Sequence, residues 1–215
     1  MPRAKRILTA SFPYHVTGRT NNRDWFLLPI SEVWQIFGWM LARVSTKYQA
    51  EVISFVLMSN HYHLILLTPR ANLNEIMNSL LREVSRAIGP RTGRMNHLFG
   101  GRYKASLLPD SRSLGHVYKY VYRNPVTAGI CAQVQDYEFS TLKSVLGGRP
   151  LFPLYESEIF ARTKVPKDHG DHLEWLNTPF SPRQYDLIKK GLRRSKFQLS
   201  TQTSNRRIVN SLPEF

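Results

Sequence analysis

The chain has 215 residues, of which 42% are hydrophobic and 12% aromatic, and this globular composition excludes a chain that is disordered over most of its length. It carries 30 Lys and Arg against 15 Asp and Glu, a formal net charge of +15, which favours a polyanionic partner, above all a nucleic acid. The single cysteine, Cys131, excludes an internal disulfide and a zinc site built from cysteines.

The first part of the chain alternates strand and helix patterns. Residues 9–17 mix β-branched and aromatic side chains, which predicts a first strand. Ser31 is the expected cap of a first helix that ends near Tyr48. Residues 52–58 and 61–67 are apolar runs separated by a short polar break, and they predict an antiparallel hairpin.

A second helix, a fourth strand and a third helix follow. Asn72 is the expected cap of the second helix, and Gly89 followed by a proline ends it. Residues 103–108 predict the fourth strand. The third helix is predicted over residues 113–123, because the proline after Asn124 disfavours its continuation.

The predicted order, βαββαβ, indicates an α+β, ferredoxin-like fold with an antiparallel sheet, two helices on one face and the other face open for use. In this topology the third strand is central, so His61 lies in the middle of the sheet. We expect one domain over residues 1–147, followed by a basic, partly helical extension over residues 148–215.

Two histidines on the predicted third strand are candidate metal ligands. His61 and His63 lie two positions apart, so both side chains point to the same face and their imidazoles can converge on one divalent cation. The pattern is weak by itself, because two such histidines are also common as polar residues at a strand edge.

A second group of candidates lies on the third helix. His116, Tyr120 and Asn124 follow one another at four-residue spacing and share a face distinct from the helix's apolar stripe. A tyrosine in this position is commonly a packing or surface residue. His116 is as compatible with the surface or with DNA contact as with catalysis, so we leave it out of the predicted site.

Several segments resemble the motifs of one family. Residues 58–66, MSNHYHLIL, are similar to the HUH signature of Y1 transposases, in which two histidines flank one bulky apolar residue. Residues 99–105 and 120–129 are similar to two further motifs of the branch associated with short palindromic repeats, and residues 14–17 and 21–23 match its usual opening.

The resemblance to IS200-like and REP-associated tyrosine transposases covers about residues 9–147. It implies a metal-dependent endonuclease and strand transferase that cuts and rejoins single-stranded DNA through a 5′-phosphotyrosine, at hairpin or palindromic ends. The alternative is a nucleic-acid-binding regulator that has the same fold without catalysis.

The resemblance also implies roles for single residues. His61 and His63 would bind Mg²⁺ or Mn²⁺, and the family's third ligand is a polar side chain one helical turn after the nucleophilic tyrosine. Tyr120 and Asn124 stand in that relation. Two other tyrosines compete: Tyr118 lies on the apolar stripe, and the tyrosine at 122 has no amide or carboxylate four residues later.

Single-stranded or hairpin DNA is the expected partner. Monomer and homodimer both stay open, and we expect no membrane contact and a cytoplasmic location, since no run of about 18 apolar residues occurs. Trp25 and Tyr103 are candidate stacking platforms for bases. The basic tail, with Arg193, Arg194, Lys196, Arg206 and Arg207, is expected to add nonspecific affinity. The predicted phosphate contacts are Arg19, Arg23, Arg82, Arg86, Arg102 and Lys104.

Overall fold

The computed structural model describes residues 6–155 and 158–199, so the predicted basic residues Arg206 and Arg207 lie outside it. No helix within these ranges is long and apolar enough to span a bilayer. The strands are β1 (Tyr14–Arg19), β2 (Glu51–Leu57), β3 (His61–Leu67) and β4 (Lys104–Leu107). The helices are α1 (Ile30–Tyr48), α2 (Leu73–Ile88), α3 (Ser111–Thr127), α4 (Leu142–Val145), α5 (Glu158–Ala161), α6 (His169–Asn177) and α7 (Pro182–Gly191).

The four strands form one antiparallel sheet in the order β2-β3-β1-β4. This order confirms the predicted α+β, ferredoxin-like arrangement and the central position of β3. In the register between β1 and β3, Arg19 lies opposite His61 and Thr17 lies opposite His63. The end of the first strand is therefore next to the two predicted metal ligands.

Helices α1 and α2 cover one face of the sheet, and the alternation of β3 sends Tyr62 into this core. The Tyr62 ring packs against Phe37 and Phe55 at centroid distances of 5.4 and 6.2 Å. It also lies over Gly18, where a Cβ atom would come within 2.8 Å of the phenol oxygen. Because Tyr62 points to this side, His61 and His63 point to the other.

Some predicted boundaries were wrong. The first helix begins before Ser31, because the carbonyl oxygen of Pro29 already accepts from the backbone N of Val33 at 3.2 Å. The first strand begins only after Pro13, whose nitrogen has no hydrogen to donate to a ladder. Asn72 does precede α2, but its amide nitrogen donates to the carbonyl of Tyr48 at 3.1 Å and its side chain does not cap the helix.

The predicted end of α3 was also wrong, because the helix continues through Pro125 to Thr127. A proline removes only one donor from the ladder, and the buried Pro125 ring packs inside the fold. The helix hydrogen bonds continue beyond the proline, since the backbone N of Ala128 donates to the carbonyl of Asn124 at 2.9 Å. Asn124 therefore lies within the helix, one full turn after Tyr120.

The sequence had suggested that the second face of the sheet is open, but this prediction was wrong. Helix α3 packs on it, and a second apolar cluster joins sheet residues such as Ile65 to α3. The same cluster includes Leu176 of α6, Ile188 of α7 and Phe197 beyond it. The described part of the extension and α3 thus share one core.

Main-chain and buried polar contacts attach the extension to the domain. The backbone N of Leu107 donates to the carbonyl of Ser195 at 2.9 Å, and the backbone N of Phe197 donates to the carbonyl of Leu107 at 2.8 Å. These bonds extend the sheet at its β4 edge. The buried guanidinium of Arg123 donates to the carbonyl of Leu176 at 2.8 Å, at the carboxyl end of α6, where free carbonyls favour a cation.

Candidate active site

A cleft of about 840 Å³ lies on the α3 side of the sheet and brings the predicted catalytic residues together. His61 and His63 contribute from β3, and Tyr120 and Asn124 contribute from α3. The ring centroids of His61 and His63 are 5.2 Å apart, and those of His63 and Tyr120 are 5.8 Å apart. The strand spacing of His61 and His63 and the helix spacing of Tyr120 and Asn124 thus bring the four side chains to one site.

The hydrogen bonds of Asn60 fix the tautomer of His61. The amide nitrogen of Asn60 donates to the carbonyl of Arg23 at 2.7 Å, so its amide oxygen is the atom that lies 2.8 Å from Nδ1 of His61. An amide oxygen can only accept, so Nδ1 of His61 carries the proton. The lone pair of His61 is therefore on Nε2, where it is free to bind a metal.

His15 is a third histidine of the site, and it was missed from the sequence. It is 2% exposed, and its Nε2 lies 2.9 Å from Nδ1 of His63. When Nδ1 of His63 donates this hydrogen bond, Nε2 of His63 keeps its lone pair for a ligand. Strand alternation alone places His15 on the same face as Arg19, but the register between β1 and β3 is needed to bring His15 next to His63.

All three imidazoles are neutral at pH 7. Burial lowers the pKa of His15 to about 3, and burial together with the charge of Arg19 lowers the pKa of His61 to about 4. Burial also holds the pKa of His63 well below its usual range. Neutral imidazole is the form that binds metal, so protons would compete with the metal for these ligands only at low pH.

The donor set suits a weakly held divalent cation. Among residues 6–155 and 158–199, no group of three or more His, Cys, Asp or Glu could hold a metal. The donors available are therefore two imidazoles and the amide oxygen of Asn124, whose nitrogen donates to the carbonyl of Tyr120 at 2.8 Å. Without a carboxylate, binding of Mg²⁺ or Mn²⁺ would need further oxygen ligands from water or phosphate.

Tyr120 is 7% exposed, and its hydroxyl is not ionised at pH 7. Burial is the main cause that raises its pKa far above the usual value, a contact with Tyr185 raises it further, and a hydrogen bond with Asn124 acts in the opposite direction. The competing tyrosines lie elsewhere. The hydroxyl of Tyr122 is hydrogen-bonded to Thr141 at 2.8 Å in the second core, and Tyr118 packs against it there at 4.8 Å.

The predicted phosphate contacts separate into two groups. Arg19, Arg23, Arg102 and Lys104 line the cleft. Arg82 and Arg86 lie on α2, on the other side of the sheet, and both bind Glu83, at 3.1 and 3.3 Å. Arg82 lines a second cavity of about 1370 Å³, which Arg102 and Lys104 also line.

The structure also gives the surroundings of three further side chains that the sequence had singled out. Tyr103 is not a free stacking platform, because the guanidinium of Arg6 covers its ring at 3.9 Å and its hydroxyl donates to Asn74 at 2.9 Å. Trp25 is 71% exposed, as a stacking residue requires. His116 is 1% exposed and does not line the cleft, so it cannot contact DNA on the surface.

Comparisons with known proteins bear on the family and the fold. The family model described as transposase IS200-like matches residues 9–124. The structure of a REP-associated tyrosine transposase bound to a REP hairpin is 20% identical with a TM-score of 0.60, over 74% of this chain and 96% of that one. The crystal structure of a putative transposase from Deinococcus radiodurans R1 is 17% identical with a TM-score of 0.38, over 56% and 95%. No curated protein matches the chain in sequence.

Proposed function

The chain belongs to the family of IS200-like transposases, and from that premise we propose that it cuts and rejoins single-stranded DNA by attaching one strand to Tyr120. The observation that carries this proposal is the meeting of Tyr120 and Asn124 with His61 and His63 in one cleft. The family match itself ends at residue 124, so it includes all four residues.

In the proposed reaction, the phenol oxygen of Tyr120 attacks the scissile phosphorus in line. The bond from phosphorus to the 3′ oxygen breaks, the 3′ oxygen takes up the proton that Tyr120 loses, and a 5′-phosphotyrosine and a free 3′ hydroxyl result. A Mg²⁺ or Mn²⁺ ion bound by His61, His63 and Asn124 would polarise the phosphate and offset the charge on the departing oxygen.

The covalent link explains how strands could be rejoined. A phosphotyrosine is still a phosphodiester, so a 3′ hydroxyl can attack it, release Tyr120 and restore a DNA bond at little cost in free energy. A water molecule as nucleophile would leave an end that cannot be resealed this way. A buried tyrosine fits this role, because exclusion of water protects the link from hydrolysis.

We further propose that the substrate is a DNA hairpin with a single-stranded flank. The cleft contains Arg19, Arg23, Arg102 and Lys104, and no Asp or Glu lies among the described residues that line it. Such a surface favours phosphates. The relative of similar fold with a TM-score of 0.60 was solved bound to a REP hairpin, which supports a hairpin substrate here.

A covalent assay tests the function. The protein is incubated with labelled hairpin oligonucleotides that carry single-stranded flanks, in Mn²⁺, and the products are run on a denaturing gel. We expect a band of protein attached to DNA that disappears in Tyr120→Phe and persists in Tyr118→Phe and Tyr122→Phe. A wild-type protein that binds the hairpins but never forms the band would instead be a noncatalytic regulator.

A further inference from the structure

Helix α7, from the extension beyond the family match, reaches the proposed nucleophile. The ring centroids of Tyr185 and Tyr120 are 5.6 Å apart, so the two side chains are in contact. One turn later, the amine of Lys189 lies 5.7 Å from the centre of the Tyr185 ring. Tyr185, Lys189 and Arg193 all line the cleft that contains His61.

This position of α7 is fixed by the fold. The side chain of Ser181 accepts from the backbone N of Gln184, and the side chain of Gln184 accepts from the backbone N of Ser181, which caps the first turn. Ile188 is fully buried in the second core. Gly191 lies so close to Phe197 that a Cβ atom would come within 2.8 Å of that ring, and Phe197 is bound to β4.

The cleft therefore receives cations from three separate parts of the chain. The end of β1 and the segment after it supply Arg19 and Arg23, the start of β4 and the residues before it supply Lys104 and Arg102, and α7 supplies Lys189 with Arg193 just beyond it. A phosphate placed at Tyr120 lies close to α7, because Tyr185 is in contact with the proposed nucleophile. Lys189 is exposed, so its amine is accessible to a phosphate there.

Resting on the proposed function, we propose that α7 is part of the active site. Lys189 binds a phosphate of the single strand next to the scissile bond, and Tyr185 is a positioning residue that holds the side chain of Tyr120 in the attacking orientation. Tyr185 and Lys189 both lie beyond the family match, which ends at residue 124.

The role of Lys189 is tested against its neighbour Lys190, which is also exposed but does not line the cleft. Binding of a fluorescein-labelled hairpin with a single-stranded flank is measured by fluorescence anisotropy at several salt concentrations. In Lys189→Gln we expect the half-saturating protein concentration to rise roughly tenfold. The slope of log affinity against log salt should also fall by about 0.7, the value for one phosphate on a single strand.

Lys190→Gln should show the wild-type slope, and Lys189→Arg should restore affinity because it keeps the charge. Equal effects of Lys189→Gln and Lys190→Gln would overturn the role of Lys189. The measurement needs no cleavage, so it decides this point even if the covalent band never forms and the proposed function is wrong. Unfolding midpoints of all variants show whether a loss reflects misfolding.

The role of Tyr185 is tested by the rate of covalent attachment at saturating DNA. Tyr185→Phe keeps the ring and removes the polar hydroxyl that acts on Tyr120. We expect the rate to fall several-fold while the half-saturating DNA concentration stays unchanged. Tyr155→Phe, a partly exposed tyrosine outside the cleft, should behave as wild type. An unchanged or higher rate in Tyr185→Phe would overturn the positioning role. The role would also be overturned if the covalent band were lost in Tyr185→Phe but kept in Tyr120→Phe.

Discussion

Nε2 of His15 lies 2.9 Å from Nδ1 of His63, so a buried residue of the first strand orients a predicted metal ligand of the third. A hydrogen bond of this kind fixes both the ring and the tautomer of a ligating histidine, and its loss typically weakens metal affinity about 10- to 100-fold. The ring stack between the two residues, 5.1 Å between centroids, adds to the restraint.

We therefore expect His15→Phe to raise the half-saturating Mn²⁺ concentration of covalent attachment by about one to two orders of magnitude. Phe fills the buried space but offers no hydrogen bond. Affinity for the hairpin in EDTA should stay at the wild-type value. His97→Phe, at an exposed histidine outside the cleft, is the matched control. Equal Mn²⁺ dependence in His15→Phe and wild type would contradict the orienting role.

A substitution of Asn124 that is expected to strengthen metal binding provides a test of the metal site. The site has no carboxylate among the described residues that line it, so Asn124→Asp adds a charged oxygen next to both imidazoles. We expect the half-saturating Mn²⁺ concentration to fall by roughly tenfold, because affinity for hard cations rises with the charge of the ligands. It is measured by the same attachment assay.

The control for added charge is Asn78→Asp on α2, which is exposed and lies outside the cleft. It should leave the Mn²⁺ dependence unchanged. Asn124→Ala should raise the half-saturating concentration, since it removes an oxygen ligand. If Asn124→Asp and Asn78→Asp behaved alike, Asn124 would not be near the metal.

The two groups of arginines predict unequal effects on DNA binding. Arg19→Gln with Arg23→Gln removes two cations from the cleft, and we expect the salt slope of single-strand binding to fall by about 1.4, twice the value for one phosphate. Arg82→Gln with Arg86→Gln removes the same charge from α2, where Glu83 already binds both side chains. Its effect on the slope should be clearly smaller. Equal effects in anisotropy would mean that DNA also runs over α2.

Short-range periodicity explains what the sequence could predict. The two-residue repeat of a strand places His61 and His63 on one face of the sheet. The four-residue spacing of a helix places Tyr120 and Asn124 on one face of the third helix. The order of the elements then fixes β3 at the centre of the sheet, as observed. The resemblance to Y1 transposases, stated from motifs, is confirmed by the family match.

Contacts between distant segments explain what the sequence could not predict. The pairing of His15 with His63 depends on the register of β1 against β3, and the contact of Tyr185 with Tyr120 depends on how the extension folds back. No local pattern encodes either. The proline rule also gave the wrong end for α3, because Pro125 is tolerated as a buried residue inside the helix, and burial is not encoded in the local sequence.

The packing of the extension also leads to a prediction about how the stability of the fold depends on pH. His172 of α6 is buried against the Tyr118 ring of α3, with centroids 5.7 Å apart, and its Nε2 has no hydrogen-bond partner within the described ranges. Burial, and secondarily the charge of His169, lowers its pKa to about 4. An unfolded histidine has a pKa of about 6.5.

Between about pH 6.5 and 4, the unfolded chain therefore takes up a proton at His172 that the folded chain does not, so the free energy of unfolding falls as the pH falls through this range. His172→Phe keeps the stacked ring without a titrating group. We expect its unfolding midpoint to drop less than that of wild type between about pH 7 and 5, while His97→Phe at the exposed position drops as wild type does. Since other buried histidines still titrate, the drop in His172→Phe should shrink without vanishing. An identical drop in His172→Phe and wild type would mean that α6 does not unfold together with α3, and the shared core would then not make the extension part of the domain.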